Sequence, residues 1–162
     1  MAVRVVGIGG LDASKSPEDT LVTYALGSCV ALILYEPRIK LAGMAHIALP
    51  ESSVSLAKAT ELPGYFADTG VPLLMRLLVK LGASPATSRI RAKLVGGSRI
   101  MDNDRVFDIG SRNIEAIRAR LREHKIVSAA EDIGGVLSRT VSVRVADGRV
   151  EIQTSDMKKW EL

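Results

Sequence analysis

The stretch Thr23-Tyr-Ala-Leu-Gly-Ser-Cys29-Val-Ala-Leu-Ile-Leu-Tyr35, then Glu36-Pro37-Arg38-Ile39, then Lys40-Leu-Ala-Gly-Met-Ala-His46-Ile-Ala-Leu49, decides how this sequence reads. Two apolar, partly β-branched runs flank a proline-containing turn, which predicts a β-hairpin. A loop of Glu36 to Ile39 pairs Tyr35 with Lys40. Continuing that antiparallel register sets Cys29 directly opposite His46. Directly opposed residues share a face, with Cβ atoms roughly 4.5–5.5 Å apart. A thiol and an imidazole at that separation can share a proton, which an activated cysteine nucleophile requires. A slip of one residue in the loop would send the two side chains to opposite faces.

Around this hairpin the chain has 162 residues, enough for one domain, 1–162, with its own core. A hydrophobic fraction of 47% with 25% charged residues describes a globular protein rather than a disordered one. No stretch approaches the roughly 18 consecutive apolar residues of a membrane span. Met1-Ala-Val-Arg-Val-Val lacks the basic start, long apolar run and cleavage site of a secretion signal. The expected location is therefore the cytoplasm, without membrane insertion. Cys29, the sole cysteine, has no internal disulfide partner, and a reducing compartment keeps it free. The net charge of +4 reads either as an ordinary solvated surface or as suited to a carboxylate-rich partner. Nucleic acid is not expected, because the basic residues are spread through the chain and aromatics are only 4%.

Outward from the hairpin, Val3 to Ile8 reads as a first strand. Gly7-Ile-Gly9-Gly10 invites a dinucleotide-binding reading that fails, because position 12 is Asp12 and Asp12 to Thr20 has a turn composition. Thr20 to Leu26 reads as a strand. Glu51 to Pro63 reads as a mobile loop, placed as a lid directly after the His46 strand. A helix follows, capped by Asp68 or Thr69, with Pro72 in its first turn, Val71, Leu74, Leu77, Leu78 and Leu81 as one apolar stripe, and Gly82 ending it. Arg89 to Val95 reads as a half-exposed strand. A second helix from near Ser111 carries Ile114, Ile117 and Leu121 inward. Ile126 to Ile133 is a strand, and Arg139 to Ala146 and Arg149 to Thr154 form a hairpin through Asp147-Gly148, a type I′ signal. Strands clustered at both ends around two helices make an α+β pattern.

By residue type alone, a lone cysteine in an apolar strand is ordinarily inert core, His46 a satisfied core histidine, and Thr23 a β-branched strand residue. The predicted Cys29–His46 pairing and the Gly27-Ser28 that precede the cysteine argue otherwise. A nearby imidazole can take the thiol proton and hold the thiolate as an ion pair. Backbone N–H groups at Gly27 and Ser28 could donate to the oxyanion that thiolate attack creates. His124, near the end of the second helix, reads as a cap. Two histidines and one cysteine this far apart give no metal-site spacing, and no cofactor is implied. Gly96-Gly97 lacks the Lys-Ser/Thr of a phosphate loop and reads as a tight turn near the site. Asp68, Asn113, Glu131 and Asp132 read as caps and turn residues, with contact to substrate as the alternative.

Leu26-Gly27-Ser28-Cys29-Val30 followed by Ala45-His46-Ile47-Ala48-Leu49-Pro50 resembles the CheD family of chemoreceptor glutamine deamidases. Tyr65-Phe-Ala-Asp68-Thr69, Gly96-Gly97, Ile109-Gly110-Ser-Arg112-Asn113 and Glu131-Asp132-Ile-Gly134-Gly135 extend the resemblance in order over nearly the whole chain. Ser98 and Ser138 stand where the family often has Ala and Gly, and both keep a small side chain. The resemblance implies a layered sandwich of packed mixed and antiparallel sheets with two to three helices on the outside. It also implies cysteine catalysis by Cys29 and His46, with Thr23 as the third member that orients the imidazole. The implied activity converts glutamines of chemoreceptor cytoplasmic helices to glutamates, releasing ammonia, and is linked as well to receptor methyl-ester hydrolysis. The implied partners are those helices and a CheC-type response-regulator phosphatase, with the protein a monomer on its own. The alternative is a non-catalytic module that binds and activates that phosphatase.

Overall fold

Two kinds of strand pattern sort the chain into layers. Val30 to Leu34 and Leu41 to Ile47 are buried at every position, as strands covered on both faces must be. Val141, Val143, Val150 and Ile152 are buried, whereas the residues between them are exposed or half-buried, as in strands with one wet face. The first kind forms a middle layer and the second an outer one. The computed structural model describes residues 1–86, 89–100 and 107–162.

The strands are β1 (Ala2–Val5), β2 (Leu11–Ser14), β3 (Asp19–Leu26), β4 (Val30–Glu36), β5 (Leu41–Ile47), β6 (Arg91–Gly96), β7 (Ser128–Ile133), β8 (Arg139–Arg144), β9 (Val150–Thr154) and β10 (Lys159–Glu161). The helices are α1 (Leu56–Glu61), α2 (Ala67–Lys80) and α3 (Ile109–Glu123). One sheet runs β2-β5-β4-β6-β7 and the other β1-β3-β8-β9-β10. The β1–β3 and β6–β7 pairs are parallel and the rest antiparallel, so both sheets are mixed. The result is an α+β sandwich with helices on one outer side, as the family resemblance implied.

The middle sheet faces two cores. Val30, Leu32, Leu34, Leu41, Ala45 and Ile47 pack against Val71, Leu74 and Leu78 of α2 and Ile114, Ile117 and Leu121 of α3. Ala31, Ile33, Ala42 and Met44 pack against Leu21, Leu26, Val141, Val143 and Ile152 of the outer sheet. Each such leucine or isoleucine contributes on the order of 1.5–3 kcal/mol. Gly43 lets α2 lie close on β5, since a Cβ there would sit 2.6 Å from Leu78 Cδ1.

Several details differ from the sequence expectation. The β4–β5 loop is Pro37 to Lys40, because Glu36 pairs with Leu41 and Lys40 takes a left-handed φ of 50°. The register therefore moves by two: His46 opposes Ala31, and Cys29 lies just before β4, one diagonal step away. A shift of two preserves the face, so thiol and imidazole stay on one side. Leu11 to Ser14, which overlaps the predicted turn region from Asp12 on, pairs with β5 as an edge strand. The Glu51–Pro63 segment is not an open loop but holds α1, capped by Ser55, whose Oγ accepts from the Lys58 N–H. Neither Asp68 nor Thr69 caps α2: Asp68 accepts from Ser52 N–H (2.9 Å) and Oγ (2.7 Å), and Thr69 Oγ1 donates to the Pro63 carbonyl at 2.5 Å. The β8–β9 loop spans Val145 to Arg149, with only Gly148 at positive φ, rather than the two-residue type I′ turn.

Candidate active site

Thr23, Cys29 and His46 line one cleft of about 320 Å³ at an open end of the sandwich, walled outward by Val5, Ile8 and Tyr24. Thr23 reaches it from the outer sheet and His46 from the middle sheet. A bulge makes room. The β3–β8 register shifts between Thr23 and Leu26, and Ala25 adopts φ 56°. A left-handed alanine costs roughly 1–2 kcal/mol, so the surroundings impose this conformation. Tyr24 turns outward, while Thr23 and Leu26 both remain buried.

Hydrogen counting fixes the state of the imidazole. Thr23 Oγ1 lies 2.6 Å from the Val6 carbonyl oxygen and 2.7 Å from His46 Nδ1. A carbonyl can only accept, so the single hydroxyl proton goes to Val6. The hydroxyl must then accept from Nδ1–H. His46 is thus the Nδ1–H tautomer, and its other nitrogen, Nε2, carries a free lone pair. Nε2 is buried with no hydrogen-bond partner among the described residues. The backbone of His46 is pinned too: its N–H donates to Gly10 (3.0 Å), and its carbonyl accepts from Gly9 (2.9 Å). The glycine run that does not fit a dinucleotide loop is the clasp on this histidine.

Cys29 ends the three-residue link between β3 and β4, and every carbonyl of that link is held. The Gly27 carbonyl accepts from Ser98 N–H (2.8 Å), and the Cys29 carbonyl from Gly97 N–H (2.9 Å). The Ser28 carbonyl accepts from Asn113 Nδ2 (3.0 Å). A Cβ on Gly96 would lie 2.3 Å from the Cys29 oxygen, so glycine is needed for this approach. No backbone carbonyl of a described residue accepts from the N–H of Ser28 or Cys29. Burial pushes the Cys29 thiol up to about 11, with a smaller opposing effect from its own backbone N–H. Burial also pulls His46 down to about 4. The resting pair is therefore neutral thiol and neutral imidazole, not the expected ion pair, and Nε2 is ready to accept a proton.

The other candidates sit elsewhere. Glu131 pairs with Arg118 (2.5 Å). Asp132 pairs with Arg139 and accepts from Trp160 Nε1 at 2.5 Å. His124 is the C-cap of α3. Asn113, expected as a cap or turn residue, is instead fully buried inside α3, and its Nδ2 donates also to the Ala48 carbonyl (3.0 Å). No signal in a single sequence marks a buried asparagine that reaches two carbonyls so distant along the chain. Among the described residues no three His, Cys, Asp or Glu side chains converge on a metal site. No helix among them is long and apolar enough to cross a membrane.

A half-buried thiol lining the same cleft as an imidazole with one nitrogen tied and the other free is equipment that suits nucleophilic acyl transfer. The pattern of the family described as "CheD chemotactic sensory transduction" matches residues 48–154, and the chain belongs to that family. Over 162 residues it is 43% identical to a protein of Syntrophotalea carbinolica named "Probable chemoreceptor glutamine deamidase CheD", covering 100% of both chains. Proteins of the same name from Symbiobacterium thermophilum and Methanococcus maripaludis are 41% and 37% identical, covering 99% and 97% of this chain and 97% and 98% of theirs. Among solved structures, Bacillus licheniformis hypothetical protein YfiH matches with a TM-score of 0.44 and 20% identity, over 75% of this chain and 49% of that one.

Proposed function

We propose that this protein is a cysteine-dependent glutamine deamidase acting on chemoreceptor cytoplasmic helices. The single observation that carries the chemistry is the free, buried Nε2 of an imidazole whose Nδ1–H is held by Thr23, in the same cleft as Cys29. The substrate comes from the names of the relatives and from membership in their family. The net charge of +4 suits long-range attraction to an acidic helical partner. With this reading goes a monomeric protein, one domain over 1–162, working in the cytoplasm where those helices lie.

In the proposed reaction, Nε2 takes the Cys29 proton as Sγ attacks the carboxamide carbon, so thiolate forms only when it is used. The oxygen of the tetrahedral adduct takes hydrogen bonds from the unspent N–H groups of Ser28 and Cys29. The imidazolium then protonates the leaving nitrogen, the C–N bond of the adduct breaks, and ammonia departs, leaving a thioester. Water gives a proton to Nε2 and its oxygen to the acyl carbon. The C–S bond breaks, and the thiolate recovers its proton from His46. A glutamate side chain remains. A methyl ester would follow the same route, with methanol leaving. Thr23 holds the tautomer that makes each transfer possible. Mass spectrometry of an intact chemoreceptor cytoplasmic fragment tests the reading: incubation should convert specific glutamines to glutamates, and Cys29→Ala should abolish the conversion while remaining folded. No conversion by the wild-type protein, or undiminished conversion by Cys29→Ala, overturns it.

A further inference from the structure

Asn113 takes no part in the proton transfers, yet it is fully buried and spends both its N–H groups at the site. We propose that Asn113 is a positioning residue that aims the backbone N–H of Cys29 at the substrate oxygen. This rests on the deamidase reading for its substrate, but its geometry does not. Both partners of the side chain are carbonyl oxygens, those of Ser28 and Ala48, so only its NH₂ end can face them. Its Oδ1 is left buried without a partner. An acceptor left unpaired in the interior is costly, and a side chain kept for packing alone would not need to bear it.

The aim follows from the peptide plane. The Ser28–Cys29 peptide is planar and trans, so the Ser28 carbonyl and the Cys29 N–H point in opposite directions. Asn113 draws that carbonyl toward α3, on the helix side of the middle sheet, where Ile114 and Ile117 pack. The N–H is thereby turned to the other side of the sheet, where Cys29 meets the core between the sheets. Its own sulfur lies there, and the N–H favours the thiolate form of that sulfur. The second bond, to Ala48, fastens the same side chain to the segment two residues past His46. One carboxamide therefore sets the oxyanion donor relative to the base.

A purely structural clip and an aiming device respond differently to chemistry. Alkylation of Cys29 by iodoacetamide uses the thiol and His46 but develops no oxyanion, whereas deamidation needs all three. In Asn113→Leu, kcat for the receptor fragment should fall about 10²–10³-fold, the loss seen for one oxyanion donor. KM should stay within about a factor of two, because the lost contact belongs to the transition state. The alkylation rate should stay near wild type. Asn113→Asp keeps the shape but turns an oxygen on both carbonyls, and it reads the same quantities if the leucine variant does not fold. A substrate-free readout accompanies these. Cys29 is the only cysteine, so ¹⁵N-cysteine labelling yields a single amide resonance, which should be displaced in a folded Asn113 variant. An unmoved resonance, an undiminished kcat, or alkylation falling as far as deamidation overturns the assignment. Wild-type protein that alkylates normally but deamidates nothing overturns the deamidase reading instead, and the resonance still decides the aim of the N–H.

Discussion

At each end of the sandwich a hydroxyl reaches between the sheets. At the cleft, Thr23 of β3 meets His46 of β5 at 2.7 Å. At the opposite end, Tyr35 of β4 donates to the carbonyl of Val145, just past β8, at 3.0 Å. Beside the tyrosine lies a cavity of about 400 Å³, larger than the candidate site, lined by Arg91, Lys93, Arg149 and Glu161. Size does not distinguish the ends; what the tie leaves over does. The tyrosine bond ends on a carbonyl with nothing further to give. The threonine bond ends on an imidazole whose second nitrogen remains unspent beside a thiol. One end joins the sheets, and the other joins them through a group that can also move a proton.

The largest test of this contrast is His46→Ala. Deamidation should fall by about 10²–10⁴-fold, the usual worth of a general acid–base. The same variant has a signature in acid. The folded pKa of His46, about 4, lies below its ordinary 6.5. Above pH 6.5 neither folded nor unfolded histidine is charged. Below it the unfolded chain gains a proton that the native state refuses, so stability is lost as pH falls toward 4. The loss attributable to His46 is roughly 3 kcal/mol. Urea midpoints at pH 7 and pH 4.5 should therefore separate less in His46→Ala than in the wild type, and an equal separation would remove the buried neutral imidazole.

Thr23→Val comes next. It keeps the shape but frees the tautomer and leaves the Val6 carbonyl unpaired. Activity should drop about tenfold to a hundredfold, as when the partner that orients an imidazole is lost. Smallest is Tyr35→Phe, which removes the other tie. It should cost about 0.5–1.5 kcal/mol in thermal or urea unfolding and leave kcat unchanged. If Tyr35→Phe lowered kcat as much as Thr23→Val, both losses would come from a loosened sandwich, and the contrast between the ends would be gone.

How much of this was readable in advance depends on the range of the interaction concerned. The β4–β5 hairpin announces itself through its apolar runs and Pro37. Its register does not, because the loop closes on Lys40 in a left-handed conformation that a lysine gives no hint of. Cys29 and His46 still share a face because the register differs by two residues and the side-chain period is also two. The edge strand β2 was hidden by Asp12 and Ser14, whose side chains look like turn residues but serve an ion pair with Arg4 and a hydrogen bond to Asp19. Thr23 was identified only through the family resemblance. Its meeting with His46 joins two different sheets, and no local spacing encodes that. Asn113 reads from sequence as a cap or turn residue within a family motif, and its two bonds are not legible, since the partners lie 85 and 65 positions away along the chain.

Burial of the Cys29 sulfur has a consequence for durability. Peroxide and stray electrophiles consume thiolates, not thiols. With its pKa held up to about 11, only on the order of one Cys29 in ten thousand is ionised near pH 7. A thiol held protonated by burial should age more slowly than an exposed thiolate. Oxidants therefore meet this sulfur chiefly as the thiol, the slower-reacting form.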